Sequence, residues 1–143
     1  MRTKKPATKK KYFTVMEANA ILPLARSIVR DISELADSLQ KRYDYLTANG
    51  DSNAPQKEEW EQELEQDQEK MRDYVQELQQ LGIEIKDFHA GLIDFPARMG
   101  NREVYLCWKL GEPEVAHWHE IEAGFAGRRK IKTQTGQVTD FFE

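Results

Sequence analysis

In two runs, Ile21 to Leu46 and Trp60 to Leu81, large apolar residues recur mostly every three or four positions, whereas after Gly82 the first residues and "REVYLCWKL" alternate every second position. A three-four repeat lays one apolar stripe along a helix, whereas a two-residue repeat lays one apolar face along a strand. The chain therefore divides at Gly82 into a helical part and a stranded part, which places it in the α+β class.

In the first part Ile21, Ala25, Ile28, Ile32, Leu35, Leu39 and Leu46 form one stripe, with Tyr43 between the last two. Thr14 and Glu17 stand three apart ahead of it and fit a capping box. Pro23 lies inside the run, so it is expected to kink the helix or to split a short leading turn from it. "TANGDSNAP", Thr47 to Pro55, reads as a loop, with Asn-Gly and Pro as punctuation. A second stripe follows in Trp60, Leu64, Met71, Val75, Leu78 and Leu81, interrupted at Asp67 and closed by Gly82. Two stripes joined by a short loop predict a long antiparallel helical hairpin over 14–82. Each stripe is narrow, close to a coiled-coil seam, which leaves the outer faces wet.

A small antiparallel β-sheet is expected over 83–131. Ile83 and Ile85 alternate with Glu84 and Lys86, which reads as a short strand. In "REVYLCWKL", Val104, Leu106 and Trp108 share one side and Tyr105, Cys107 and Lys109 the other. "LGEPE" is a turn and Val115 to His119 a return strand. Gly124 and Gly127 should end regular structure, leaving Arg128, Arg129 and Lys130 as a loop, with a further short strand at Val138 or a frayed end. The lysine-rich residues 1–11 read as a disordered basic tail, 12–131 as one domain, and 132–143 as a C-terminal tail.

Charge narrows the range of partners. The net charge is −4, with cations concentrated in residues 1–11 and at Arg128 to Lys132, and acids concentrated in 57–77. An acidic chain is a poor basic-face nucleic-acid binder, and a lysine tail alone gives weak, salt-sensitive contacts, so nucleic acid is not the expected partner. No run approaches the roughly 18 apolar residues of a membrane-spanning helix, and no secretory h-region follows the basic start. With Cys107 as the single cysteine, the expected setting is the reducing cytoplasm.

His117 and His119, two apart in a strand, project from one face while Trp118 projects from the other. A metal ion needs ligands converging in this way, and Cys107, Asp94, Glu120, Glu122 and His89 are available to complete a set. Register decides whether Cys107 joins. A five-residue loop over Leu110–Glu114 puts it opposite His117, and a four-residue loop puts it beside Ala116 and Trp118. The simpler alternative is a pair of imidazoles hydrogen-bonded within an aromatic cluster. Asp94, flanked by apolar residues, must be hydrogen-bonded, paired or shifted in pKa. Glu112 lies in the turn, where solvent is its expected partner. "GFAGRRK" can cradle an anion with its backbone N–H groups and arginines, although it lacks the Gly-Lys-Ser/Thr ending of a P-loop.

In order, "YFTVMEANAILP", "GIEIKDFHAGLIDFPA", "REVYLCWKLGEPEVAHWHE" and "GFAGRRKI" resemble an uncharacterised prokaryotic family, the domain-of-unknown-function family two-two-zero-three. The resemblance spans about Tyr12 to Ile131. Its motif positions here are Asp94, Cys107, Trp108, Glu112, Trp118, His119, Gly124, Phe125, Gly127 and Arg128. His117 falls outside them, so the resemblance implies His119 rather than the H-x-H pair. It implies no activity.

Three functional readings follow. The first is a non-enzymatic protein whose hairpin mediates self-association, as a homodimer, or binds a protein partner. The second is a metal- or small-ligand-binding protein, a hydrolytic enzyme among its forms. Its divalent metal would sit at Asp94, Cys107 and His119, with His117 in reserve, and its ligand would touch Asp94, Glu112, Arg128 and Trp118. The third is nucleic-acid binding through the tail.

Overall fold

The computed structural model describes residues 11–48 and 54–132. The basic start, the hairpin tip and the C-terminal segment with Val138 lie outside the described residues. Helix α1 spans Val15–Ala48 and α2 spans Ala54–Gln80. Strands β1 (Glu84–Asp87), β2 (Leu92–Met99), β3 (Arg102–Lys109), β4 (His117–Glu120) and β5 (Arg129–Lys130) form one antiparallel sheet in sequence order. The α+β architecture, with a helical hairpin leading into an antiparallel sheet, is the expected one.

The predicted caps are present. Thr14 Oγ1 accepts the Glu17 N–H at 3.0 Å, and Glu17 Oε1 accepts the Thr14 N–H at 3.1 Å. At the end of α2, Ile83 N–H donates to Leu78 O and Gly82 N–H to Gln79 O. These are the two bonds of a Schellman motif, with Ile83 and Leu78 both fully buried as its apolar contact. The motif needs a left-handed residue, and Gly82 supplies it with φ 88°.

Pro23 does not divide the first helix, because α1 runs through it. The buried face of α1 also differs from the predicted stripe. Ala18, Leu22, Ala25, Ile28, Val29, Ile32, Ser33 and Ala36 are buried, while Ile21, Leu35 and Leu39 are only half-buried. The reason is that α1 serves two neighbours, the sheet along one face and α2 along the other. Asn19 ties it to the sheet side by donating to Val115 O and accepting Val115 N–H, and Ser33 Oγ donates to His89 O. In α2 only Leu78 is fully buried among the stripe residues.

Ile93, Phe95, Ala97, Val104, Leu106, Trp108 and Trp118 project from the inner face of the sheet into one core with Phe13 and the helices. Burying side chains of this size contributes about 1.5–3 kcal/mol each. Strand β2 was not among the predicted strands, and it pairs with β3 along its whole length. Pro96 lies inside it and is tolerated because β1 pairs only as far as Asp94. Beyond that point Pro96 needs no donor on that side, and its carbonyl accepts Phe13 N–H at 2.7 Å. At the other end, Gly91 has φ 69°, and a Cβ there would lie 2.7 Å from Leu110 Cβ and 2.9 Å from Val29 Cγ1. The loop into β2 thus fits against α1 only with glycine.

The return strand starts two residues later than expected, since Val115 is held by Asn19 instead. Arg129 and Lys130 do not form a loop but pair as β5 with Trp118 and His117.

Candidate functional site

Residues paired directly across antiparallel strands share a face. Asp94 pairs with Cys107 and Cys107 with His117, while Pro96 pairs with Tyr105 and Tyr105 with His119. The β3–β4 register is therefore the five-residue-loop alternative, with Cys107 opposite His117. All of these residues face away from the helices. The outer face of such a sheet usually meets water, yet Asp94, Cys107 and His119 are only 2%, 0% and 2% exposed.

One ligand atom from each of Asp94, Cys107 and His119 lies within 4.8 Å of the others. His119 Nε2 stands 3.1 Å from both Oδ1 and Oδ2 of Asp94. Its other nitrogen, Nδ1, lies 2.7 Å from Glu120 O. A carbonyl oxygen only accepts, so Nδ1 carries the hydrogen. The imidazole is thereby fixed with Nε2 turned toward the carboxylate, and a proton or another cation must lie between them. The Tyr105 ring packs on the imidazole at 5.5 Å between centroids, and its hydroxyl donates to Glu84 Oε1 at 2.9 Å. Lys86 Nζ covers the Tyr105 ring at 4.7 Å.

Burial pushes the Asp94 carboxyl up from its ordinary value, against the opposing pull of His119, Lys86 and the Cys107 thiol. The close His119 contact would alone favour the carboxylate, but desolvation outweighs it. Burial, reinforced by the Asp94 charge, pushes the Cys107 thiol up to about 12. Cys107 is thus a neutral thiol that hydrogen-bonds Asp94.

The remaining candidate residues separate into groups. Glu112 is not solvated as its turn position suggested. Its Oε2 accepts from Arg128 Nη2 at 2.6 Å, and its Oε1 accepts Lys109 N–H at 3.0 Å. Arg128 also lies over the Phe125 ring, 4.6 Å from its centroid. This pair flanks the triad from the β3–β4 turn. His117 stands in the same cross-strand row as Asp94 and Cys107, but it is not one of the three converging residues. Burial, and then the Arg128 charge, lowers its pKa. Trp118 projects to the opposite face, into the core, and does not join the site. His89 pairs with Asp37 of α1, Glu120 pairs with Arg102, and Glu122 is exposed. Tyr105 was not among the candidates, although its alternation with Cys107 in "VYLCW" placed it on this face.

Over residues 11–131 the chain matches the family described as Uncharacterized conserved protein (DUF2203), and it belongs to that family. Neither a curated protein nor a solved structure matches it.

Proposed function

We propose that the protein binds a divalent transition metal, zinc foremost, between Asp94, Cys107 and His119. The observation that carries this reading is the orientation of His119. Its Nδ1–H is held by the Glu120 carbonyl, so Nε2 points at two carboxylate oxygens with a thiol alongside. Metal-ligating histidines are oriented by this kind of second hydrogen bond. Tetrahedral zinc with bonds of about 2.0–2.1 Å sets oxygen and nitrogen ligands about 3.3 Å apart, close to the 3.1 Å found here. A thiolate, an imidazole and a carboxylate together suit zinc or iron rather than magnesium or calcium. Three protein ligands leave a fourth position for an exogenous ligand.

The test is isothermal titration of chelator-treated, tag-free protein with Zn²⁺, alongside Asp94→Asn, Cys107→Ser and His119→Gln. One tight site in the wild type, lost in each variant, is expected. Absorption of the Co²⁺ form adds a thiolate charge-transfer band that only Cys107 can supply. A wild type that binds no metal ends this reading, and the triad is then a buried polar network.

We also propose that the hairpin self-associates, as a homodimer in the cytoplasm. Among the described residues, Leu39, Leu46, Trp60, Leu64 and Met71 of the two stripes stay only half-buried, and Tyr43 is 63% exposed. A second hairpin would cover what one leaves open. Light scattering should give twice the chain mass, reverting to one on Tyr43→Glu with Leu64→Glu. A strict monomer at all concentrations ends this reading. No helix of the described residues is long and apolar enough to cross a membrane.

A further inference from the structure

Buried side-chain nitrogens rarely lack a hydrogen-bond partner, because leaving one unsatisfied keeps the full penalty of removing it from water. Among the described residues three such atoms occur: Arg42 Nη1, His117 Nδ1 and Arg128 Nε. The second and third belong to one corner of the sheet, on either side of the short turn Phe125–Gly127 that links β4 to β5.

Arg128 is fixed there from two directions. Glu112 holds Nη2 at 2.6 Å, and the guanidinium carbon lies over the Phe125 ring, 4.6 Å from its centroid. Its Nε edge is left over, enclosed and unbonded. His117 is opposite Lys130 in the β4–β5 register and opposite Cys107 in the β3–β4 register. Lys109 Nζ also lies over the Phe125 ring, 5.6 Å from its centroid. The corner thus gathers Arg128, Lys109 and Lys130, with Glu112 on the Arg128 guanidinium. An imidazole nitrogen donates in the tautomer that places its hydrogen there, so His117 Nδ1 can carry a hydrogen toward a guest.

We propose that this corner binds a small oxyanion, a carboxylate or phosphate group, received by Arg128 Nε–H and His117 Nδ1–H. An oxygen bridging two such donors satisfies both orphaned atoms at once. A guanidinium edge matches the geometry of an oxyanion better than that of a spherical halide. The enclosure of both atoms restricts the guest to a small one. The corner adjoins Cys107 through the Cys107–His117 pairing. The oxyanion site does not depend on that metal.

The experiment titrates inorganic phosphate, acetate and chloride at matched ionic strength into chelator-treated protein and into zinc-equilibrated protein. Binding is read by the side-chain N–H resonances of arginine and by the melting temperature. Phosphate or acetate should shift the Arg128 Nε–H resonance and raise the melting temperature, while chloride does neither. Arg128→Lys keeps the charge but removes the Nε–H donor, and it should weaken oxyanion binding about tenfold. His117→Phe should weaken it similarly. Circular dichroism establishes that both variants fold, and the wild-type resonance shift needs no variant at all. Absence of any oxyanion effect beyond that of chloride in both preparations overturns the proposal. So does equal affinity in the wild type and Arg128→Lys. Zinc binding is measured separately without oxyanion, so failure of the metal reading is recognised on its own.

Discussion

His119 presents one ring nitrogen to both oxygens of Asp94, at 3.1 Å each, while a backbone carbonyl holds the other nitrogen at 2.7 Å. Two residues 25 apart in sequence are thereby locked on the outer face of a sheet whose inner face carries the core. An isolated pair of this kind is a costly way to stabilise a fold, since apolar residues of the same volume often do as well. That cost is consistent with the metal-binding role proposed for the triad.

The first prediction concerns protons. The Cys107 thiol stands at about 12 without metal, and a coordinating thiol must lose its hydrogen. Metal binding at neutral pH should release at least one proton, so zinc affinity should rise about tenfold per pH unit between roughly pH 6 and 8. Titration in buffers of differing ionisation enthalpy measures the released protons. A pH-independent affinity would place the metal elsewhere.

The second concerns Asp94 in metal-free protein. Asp94→Ala strands a buried imidazole and a buried thiol without their shared acceptor, which should cost about 2–4 kcal/mol. Asp94→Asn keeps one carbonyl acceptor and should cost about half as much. Denaturant unfolding with chelator present separates the two. The pH dependence has a definite sign. Folding raises the Asp94 pKa above its ordinary 3.8, so the favourable contribution is complete below about 3.8 and is lost as pH rises through the folded value. Asp94→Asn should remove that part of the acid limb.

The third uses Cys107 in the same way at alkaline pH. Its pKa rises from 9.0 to about 12 on folding. The thiol therefore adds stability that is complete below pH 9.0 and withdrawn between 9.0 and about 12, at about 1.4 kcal/mol per pH unit. Cys107→Ser does not titrate there, and its stability curve should fall less steeply above pH 9.

The fourth tests the joint between hairpin and sheet. Gly82→Ala forces an L-residue to φ 88° and sets a Cβ 3.2 Å from Lys11 Cβ. It should lower stability by about 1–2 kcal/mol while leaving zinc stoichiometry unchanged.

Much of this architecture was readable because period is a local property. The switch at Gly82 marks the helix-to-sheet joint, and alternation in "REVYLCWKL" assigns Tyr105 and Cys107 to the face opposite Leu106 and Trp108. Convergence is not local. Asp94 could be named as a buried acid needing a partner, but its meeting with Cys107 and His119 depends on two strand registers. The β3–β4 register was open by one residue on loop length alone. The strand at Arg129 was missed because two residues show no period. The shifted face of α1 was missed because one helix packing on two neighbours blurs a single stripe. Glu112 looked solvated because its partner Arg128 lies 16 residues away, across a strand.

The last prediction concerns the one polar position in the α2 stripe. Asp67 Oδ2 accepts from Arg42 Nη2 at 2.6 Å across the hairpin seam, with both side chains only partly exposed. Arg42 Nη1 is enclosed and unbonded, so the pair does not satisfy its own donors. Removing one partner by Asp67→Ala leaves a half-buried guanidinium without a counter-charge, at a cost of about 1–3 kcal/mol. Replacing both, Arg42→Leu with Asp67→Leu, completes the stripe and should match or exceed wild-type stability. The ion pair's role is then to hold register, as a polar residue in a helical seam does. In the double variant the apolar seam has no such constraint, so larger or mixed oligomers should appear in light scattering where the wild type shows one species. A double variant that stays in the wild-type oligomeric state and loses stability would assign the pair to folding energy instead.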